Sequence, residues 1–131
     1  MRPTLVAAVC LLSILASIPA LPLPSETKYS NRYDRLDIDA ILSNQRTLNS
    51  YIKCLLDQGS CTAEGRTLKE HITEAMETSC EKCTDTQKKL MRKATRFLIE
   101  NRPEDWKNIQ EYYDKEGKFE GFIEEFVNSD D

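Results

Sequence analysis

Leu48-Asn49-Ser50-Tyr51-Ile52-Lys53-Cys54-Leu55-Leu56 sets apolar side chains at 48, 51, 52, 55 and 56, the three-and-four spacing that lines one face of an α-helix. Asp57-Gln58-Gly59-Ser60 interrupts it with turn-forming residues, and the spacing resumes at Leu68, Ile72, Ala75 and Met76. Outward from this pair, Ile38, Ile41 and Leu42 mark a short helix on the N-terminal side. On the other side come Leu90, Met91, Ala94, Phe97 and Leu98, then Trp106, Ile109, Tyr112 and Tyr113, then Phe119, Phe122, Ile123, Phe126 and Val127. Thr84 with Gln87 three residues on forms a capping box, Pro103 suits a first helical turn, and Asp114-Lys115-Glu116-Gly117 divides the last two blocks. The chain reads as all-α, six helices in a compact bundle whose topology the pattern does not fix.

Composition agrees. The 131 residues include only four Gly and five Pro, too few turns for a sandwich or barrel, and 40% hydrophobic content suits one soluble domain. Eighteen basic against 22 acidic residues give a net charge of −4, which argues against nucleic acid or an anionic membrane as partner because both need clustered cations.

Residues 1–20 carry one charge, Arg2, then an apolar run from Leu5 to Ile18, with Ser17, Pro19 and Ala20 at its end. This is the pattern of a secretory signal peptide, with cleavage expected after Ala20. The 14-residue run is shorter than the roughly 20 residues that cross a bilayer. A single domain over 21–131 follows, its residues 21–29 a flexible leader and 119–131 a distinct C-terminal segment. Removing 1–20 leaves 17 basic and 22 acidic residues, a charge of −5, and takes away Cys10. The remaining Cys54, Cys61, Cys80 and Cys83 are an even set in an oxidising compartment and predict two disulfides. Three connectivities are open; the short separations would suit two local clips.

Catalytic chemistry finds little to use. His71 is the only histidine and lies beside the apolar stripe, as a solvated helix surface residue would. No serine sits in a Gly-x-Ser-x-Gly elbow, and a cysteine nucleophile would need a thiol that the oxidised set lacks. Cys80-Glu81-Lys82-Cys83 has the redox spacing but a helical rather than βαβ context, and the four cysteines lack the two close knuckles of a zinc ribbon. No enzyme activity, cofactor or metal is expected. Lys88, Lys89, Arg92 and Lys93 form a basic stripe that reads as a solvated face.

The spacing Cys54-x6-Cys61-x18-Cys80-x2-Cys83 closely resembles that of the insect chemosensory, or olfactory-segment-D-like, proteins. Tyr33-Asp34 with Asp37-Ile38-Asp39, Cys54-Leu55-Leu56-Asp57-x-Gly59-x-Cys61-Thr62-x-Glu64-Gly65, Trp106-Lys107 and Tyr113-Asp114-x-x-Gly117 extend the resemblance over residues 29–119. Ser60, Ala63 and Lys115 stand where that family often has proline, and an acidic tail stands where many members are basic. The resemblance implies a helical prism around an apolar channel, disulfides Cys54–Cys61 and Cys80–Cys83, and carriage of long-chain, semiochemical-like ligands in extracellular fluid. It implies channel or channel-mouth positions at Tyr33, Asp34, Tyr51, Leu68, Ile72, Met91 and Trp106; periodicity alone adds Leu42, Ile52 and Ile109. The expected protein is a secreted monomer with a small hydrophobic ligand and no stable membrane insertion. The alternative is a secreted developmental or interaction factor acting through a protein partner, for which the 88–93 stripe and the acidic tail are the motive.

Overall fold

Among the described residues, four of six helices begin where a side-chain oxygen meets the first unpaired amides. The computed structural model describes residues 28–130. It contains α1 (Ile38–Ser43), α2 (Gln45–Leu55), α3 (Ala63–Glu77), α4 (Asp85–Asn101), α5 (Pro103–Tyr113) and α6 (Glu120–Asn128). Asp37 Oδ1 accepts from the Ala40 N–H at 3.0 Å, Asn44 Oδ1 from Thr47 at 3.1 Å and Thr62 Oγ1 from Gly65 at 3.1 Å. Thr84 and Gln87 form the expected reciprocal box at the start of α4, and Pro103 opens α5 in its first position. Asn44 both ends α1 and caps α2, so the two helices meet with no loop between them.

The breaks are equally local. Asp57 takes a left-handed backbone (φ 58°) just past α2. Its carboxylate then accepts from Lys69 on α3 and from the Tyr112 hydroxyl on α5, tying three helices together. Gly117 supplies φ +70° between α5 and α6, while Asp114 accepts from the Lys118 and Phe119 amides at 2.8 and 3.0 Å. The disulfides join Cys54 to Cys61 and Cys80 to Cys83. Cys54 is 1% exposed, and a Cβ on Gly65 would stand 3.2 Å from its Sγ, so glycine permits the close approach of α3 to α2.

The close helix pairs are α1 with α2, α2 with α5, α5 with α4 and α4 with α1, a closed circuit around the core of Leu42, Leu48, Ile52, Leu55, Leu98 and Ile109. Outside it, α3 packs closely against α2 and α6 against α4. Both outer helices are amphipathic, yet α3 has only Gly65 fully buried and α6 has no buried residue. An apolar stripe left half-covered faces something other than a packed core.

The expected signal segment 1–20 and leader residues 21–27 lie outside the described residues. Tyr29, expected to close a leader of little structure, is instead fixed: its N–H donates to the Lys82 carbonyl at 2.8 Å and its ring packs on His71. A large ring with a polar tip gains from such contacts, which hold Tyr29 in place.

Candidate functional site

The half-covered stripes of α3 and α6 face a cavity of about 250 Å³. Glu64, Thr67, Leu68, His71, Ile72, Ala75 and Met76 give it one wall, the three-and-four face of α3. At 1.5 Å rise per residue this row is roughly 18 Å long. Leu90, Met91, Ala94 and Thr95 of α4, Trp106, Ile109, Gln110 and Tyr113 of α5, and Phe122, Ile123 and Phe126 of α6 form the other walls. Tyr29, Ser30, Tyr33, Asp34, Leu36 and Ile38 ahead of α2, Tyr51 on α2, Cys80, Cys83 and Gln87 around the start of α4, and Asp114 after α5 complete the lining, which is mostly aliphatic and aromatic.

Eight of the ten positions expected at a channel line this cavity: Tyr33, Asp34, Tyr51, Leu68, Ile72, Met91, Trp106 and Ile109. Leu42 and Ile52 do not. They are 7% and 5% exposed within the helix circuit, on faces of α1 and α2 that meet other helices directly. Periodicity identifies a buried face but not what lies opposite it.

Neither the His71 and α6 parts of the lining nor the Arg92 contact behind the α6 wall follow from the sequence pattern alone. His71, expected on a solvated surface, lines the cavity with its ring centroid 4.2 Å from that of Tyr29. It lies three positions past Leu68, so its place on the α3 face was readable once that face was known to stay uncovered. Phe122, Ile123 and Phe126, a helix stripe by their spacing, form a wall of the cavity. Arg92, expected in the basic stripe, is 6% exposed. Its Nε donates to the Phe126 carbonyl at 2.8 Å and its guanidinium lies over the Phe126 ring. Arg96 donates to the carbonyls of Val127 and Ser129 at 2.7 and 2.9 Å. Two arginines of α4 thus satisfy carbonyls at the end of α6 and hold that wall in place.

Beside His71, the Tyr29 hydroxyl donates to Glu74 Oε1 at 2.8 Å, and Lys82 lies 3.3 Å from the same oxygen. The Tyr29 hydrogen bond, reinforced by Lys82, holds the Glu74 carboxyl below its ordinary value. Burial, with the Glu74 hydrogen bond and charge behind it, pushes the Tyr29 phenol up to about 12. The stability this contact contributes is therefore present above the ordinary carboxylate range and lost as pH falls through the depressed Glu74 value. At the alkaline end it is present below about pH 10 and lost as pH rises through about 12. The stability difference between wild type and Tyr29→Phe is expected to be level between these limits and to shrink outside them. An NMR titration should show Glu74 moving up in the variant; an unmoved Glu74 would assign its depression to Lys82 and His71.

The model of the insect pheromone-binding family A10/OS-D matches residues 29–121. Ejaculatory bulb-specific protein 3 of Drosophila melanogaster is 46% identical over 90 residues, 69% of this chain and 71% of that one. Among solved structures, a chemosensory protein in complex with bromo-dodecanol is 37% identical with a TM-score of 0.70, covering 74% of this chain and 98% of that chain. The antennal chemosensory protein A6 of the moth Mamestra brassicae is 36% identical with a TM-score of 0.63, covering 76% and 92%. A family model matching residues 29–121, a relative at 46% identity and solved chemosensory proteins at 37% and 36% identity lead to one conclusion: this protein belongs to the insect pheromone-binding family A10/OS-D, the chemosensory proteins.

Proposed function

We propose that this protein is a secreted, non-catalytic carrier that takes one long-chain aliphatic molecule into its cavity and conveys it through extracellular fluid. The observation that carries this reading is the apolar cavity along α3, whose roughly 18 Å row of side chains matches a slender chain rather than a compact one. With carbon–carbon bonds of about 1.5 Å an extended chain advances about 1.25 Å per carbon, so about fourteen carbons span the row. The solved relative that holds bromo-dodecanol supports the same ligand class. The signal-like residues 1–20 support secretion, and no helix among the described residues is long and apolar enough to cross a membrane. Oxidation of all four cysteines outside that segment removes their thiols as nucleophiles, which supports a carrier over an enzyme.

Burying a dodecyl chain at about 0.8 kcal/mol per methylene supplies roughly 10 kcal/mol, and ordering costs bring the net to a micromolar dissociation constant. The test is displacement of a fluorescent apolar probe from the oxidised, delipidated protein by primary alcohols of six to eighteen carbons. Affinity is expected to rise severalfold with each pair of carbons and to level off near fourteen. A flat series would overturn the carrier reading. The rival reading, a factor acting through a protein partner, loses part of its motive, since Arg92 is buried under α6 and Lys93 pairs with Asp39 at 2.5 Å.

A further inference from the structure

The ionisable residues of the cavity lining are unbalanced. Asp34, Glu64 and Asp114 contribute three carboxylates, no Lys or Arg lines the cavity, and His71 is the one lining side chain able to carry positive charge. Several cations elsewhere on the surface pair with other acids, Lys69 with Asp57, Lys82 with Glu74, Lys93 with Asp39, Arg102 with Asp105 and Lys118 with Glu116. Arg32 stacks 5.7 Å from the Tyr33 ring and lies outside the lining. Among the described residues none of the three cavity acids has an ion-pair partner. Asp114 is bonded to backbone amides; Asp34 Oδ2 accepts from the Thr84 hydroxyl, while its Oδ1 is buried without a partner.

We propose that this cavity selects its cargo by headgroup charge, accepting neutral and ammonium-bearing aliphatic chains and rejecting carboxylates. The inference rests on the carrier reading and assigns the selection to Asp34 and Glu64, with Asp114 adding to the field. A carboxylate entering the cavity gives up its hydration, finds no guanidinium or ammonium in the walls, and meets like charge across a medium that screens poorly. Tyr33 and Tyr51, whose hydroxyls make no hydrogen bond among the described residues, can serve an alcohol as readily as a carboxylate and do not offset that charge. An alcohol can also donate to a carboxylate wall, and an ammonium group gains from it.

The test is probe displacement by dodecan-1-ol, methyl dodecanoate, dodecylamine and sodium dodecanoate at low ionic strength. It is run at pH 8, where dodecanoate is ionised and dodecylamine is protonated. Dodecanoate is expected to bind at least about tenfold more weakly than dodecanol, with the methyl ester recovering the loss and the ammonium chain binding at least as well as the alcohol. Glu64→Gln and Asp34→Asn should each narrow the gap between dodecanol and dodecanoate about threefold or more. Raising the salt concentration of the wild type should narrow it too, a check that needs no variant to fold. Equal binding of dodecanoate and dodecanol overturns the selection alone. A gap unmoved by either variant and by salt overturns its assignment to these acids. Loss of all binding, dodecanol included, overturns the carrier reading and the selection with it.

Discussion

Met91→Trp is expected to weaken dodecan-1-ol binding about a hundredfold while the protein keeps its helices and both disulfides. Met91 extends from α4 into the cavity, where it is only partly buried, so its replacement meets open space before it meets packed atoms. An indole there takes up much of a volume of about 250 Å³ and does not fold aside as a thioether does. If it displaces three to four methylenes of the ligand at about 0.8 kcal/mol each, the loss is about 2.4–3.2 kcal/mol, or about 60- to 200-fold. Probe displacement gives the affinity, and a thermal melt gives the stability, which should change little because overpacking costs arise where there is no space to fill. Unchanged affinity in a folded variant would place the ligand elsewhere than on the α3–α4 face. Loss of affinity for long alcohols with retention of short ones would be the sharpest support, since a shortened row still holds a short chain.

Some parts of the molecule are written locally in the sequence and others are not. The helices were legible because their signals are contained within one turn: the Thr84–Gln87 box, Pro103 at a first position, the apolar residues three and four apart. The cavity was not legible from those signals. In the sequence, the stripe of α3 and the stripe of α2 are the same kind of object, but Ile52 is buried within the helix circuit whereas Ile72 packs against that core with one side and borders the cavity with the other. The difference lies in which partner stands opposite, a property of the assembled bundle and not of either segment. Resemblance to a family supplied the channel and the disulfide pairing where spacing left three connectivities. Arg92 was misread for a related reason. Its charge marks it for solvent, while a long aliphatic stem lets the guanidinium reach the Phe126 carbonyl from a buried position. His71 followed the same logic in reverse, a polar side chain on a face that never closes.

Removing the Cys54–Cys61 bond with Cys54→Ala and Cys61→Ala is expected to cost more than removing Cys80–Cys83 in the same way, and to cost ligand affinity as well. Loop-closure entropy alone assigns about 2.5 kcal/mol to a bond with sequence separation 7 and about 1.9 kcal/mol to one with separation 3. The surroundings widen that difference. Cys54 is 1% exposed where α2 and α3 approach over Gly65, so losing its sulfur leaves a small void between packed helices, whereas Cys80 and Cys83, each 5% exposed, border a cavity that is already open. The first pair of substitutions should therefore lower the melting temperature by about 10–20 °C, and the second by about half as much. Function follows because of where the bond lies: α3 is one wall of the cavity, its close helix partner is α2, and Cys61 stands immediately before the Thr62 cap. With that anchor gone, the wall has more freedom to lose on binding, and the cost falls on affinity. The Cys80–Cys83 clip lies beyond the far end of α3, although both its cysteines touch the cavity, so its removal should loosen one end and spare the row from Glu64 to His71. Equal losses of stability and affinity in the two variants would show that α3 is held chiefly by its side-chain contacts and not by its covalent tether to α2.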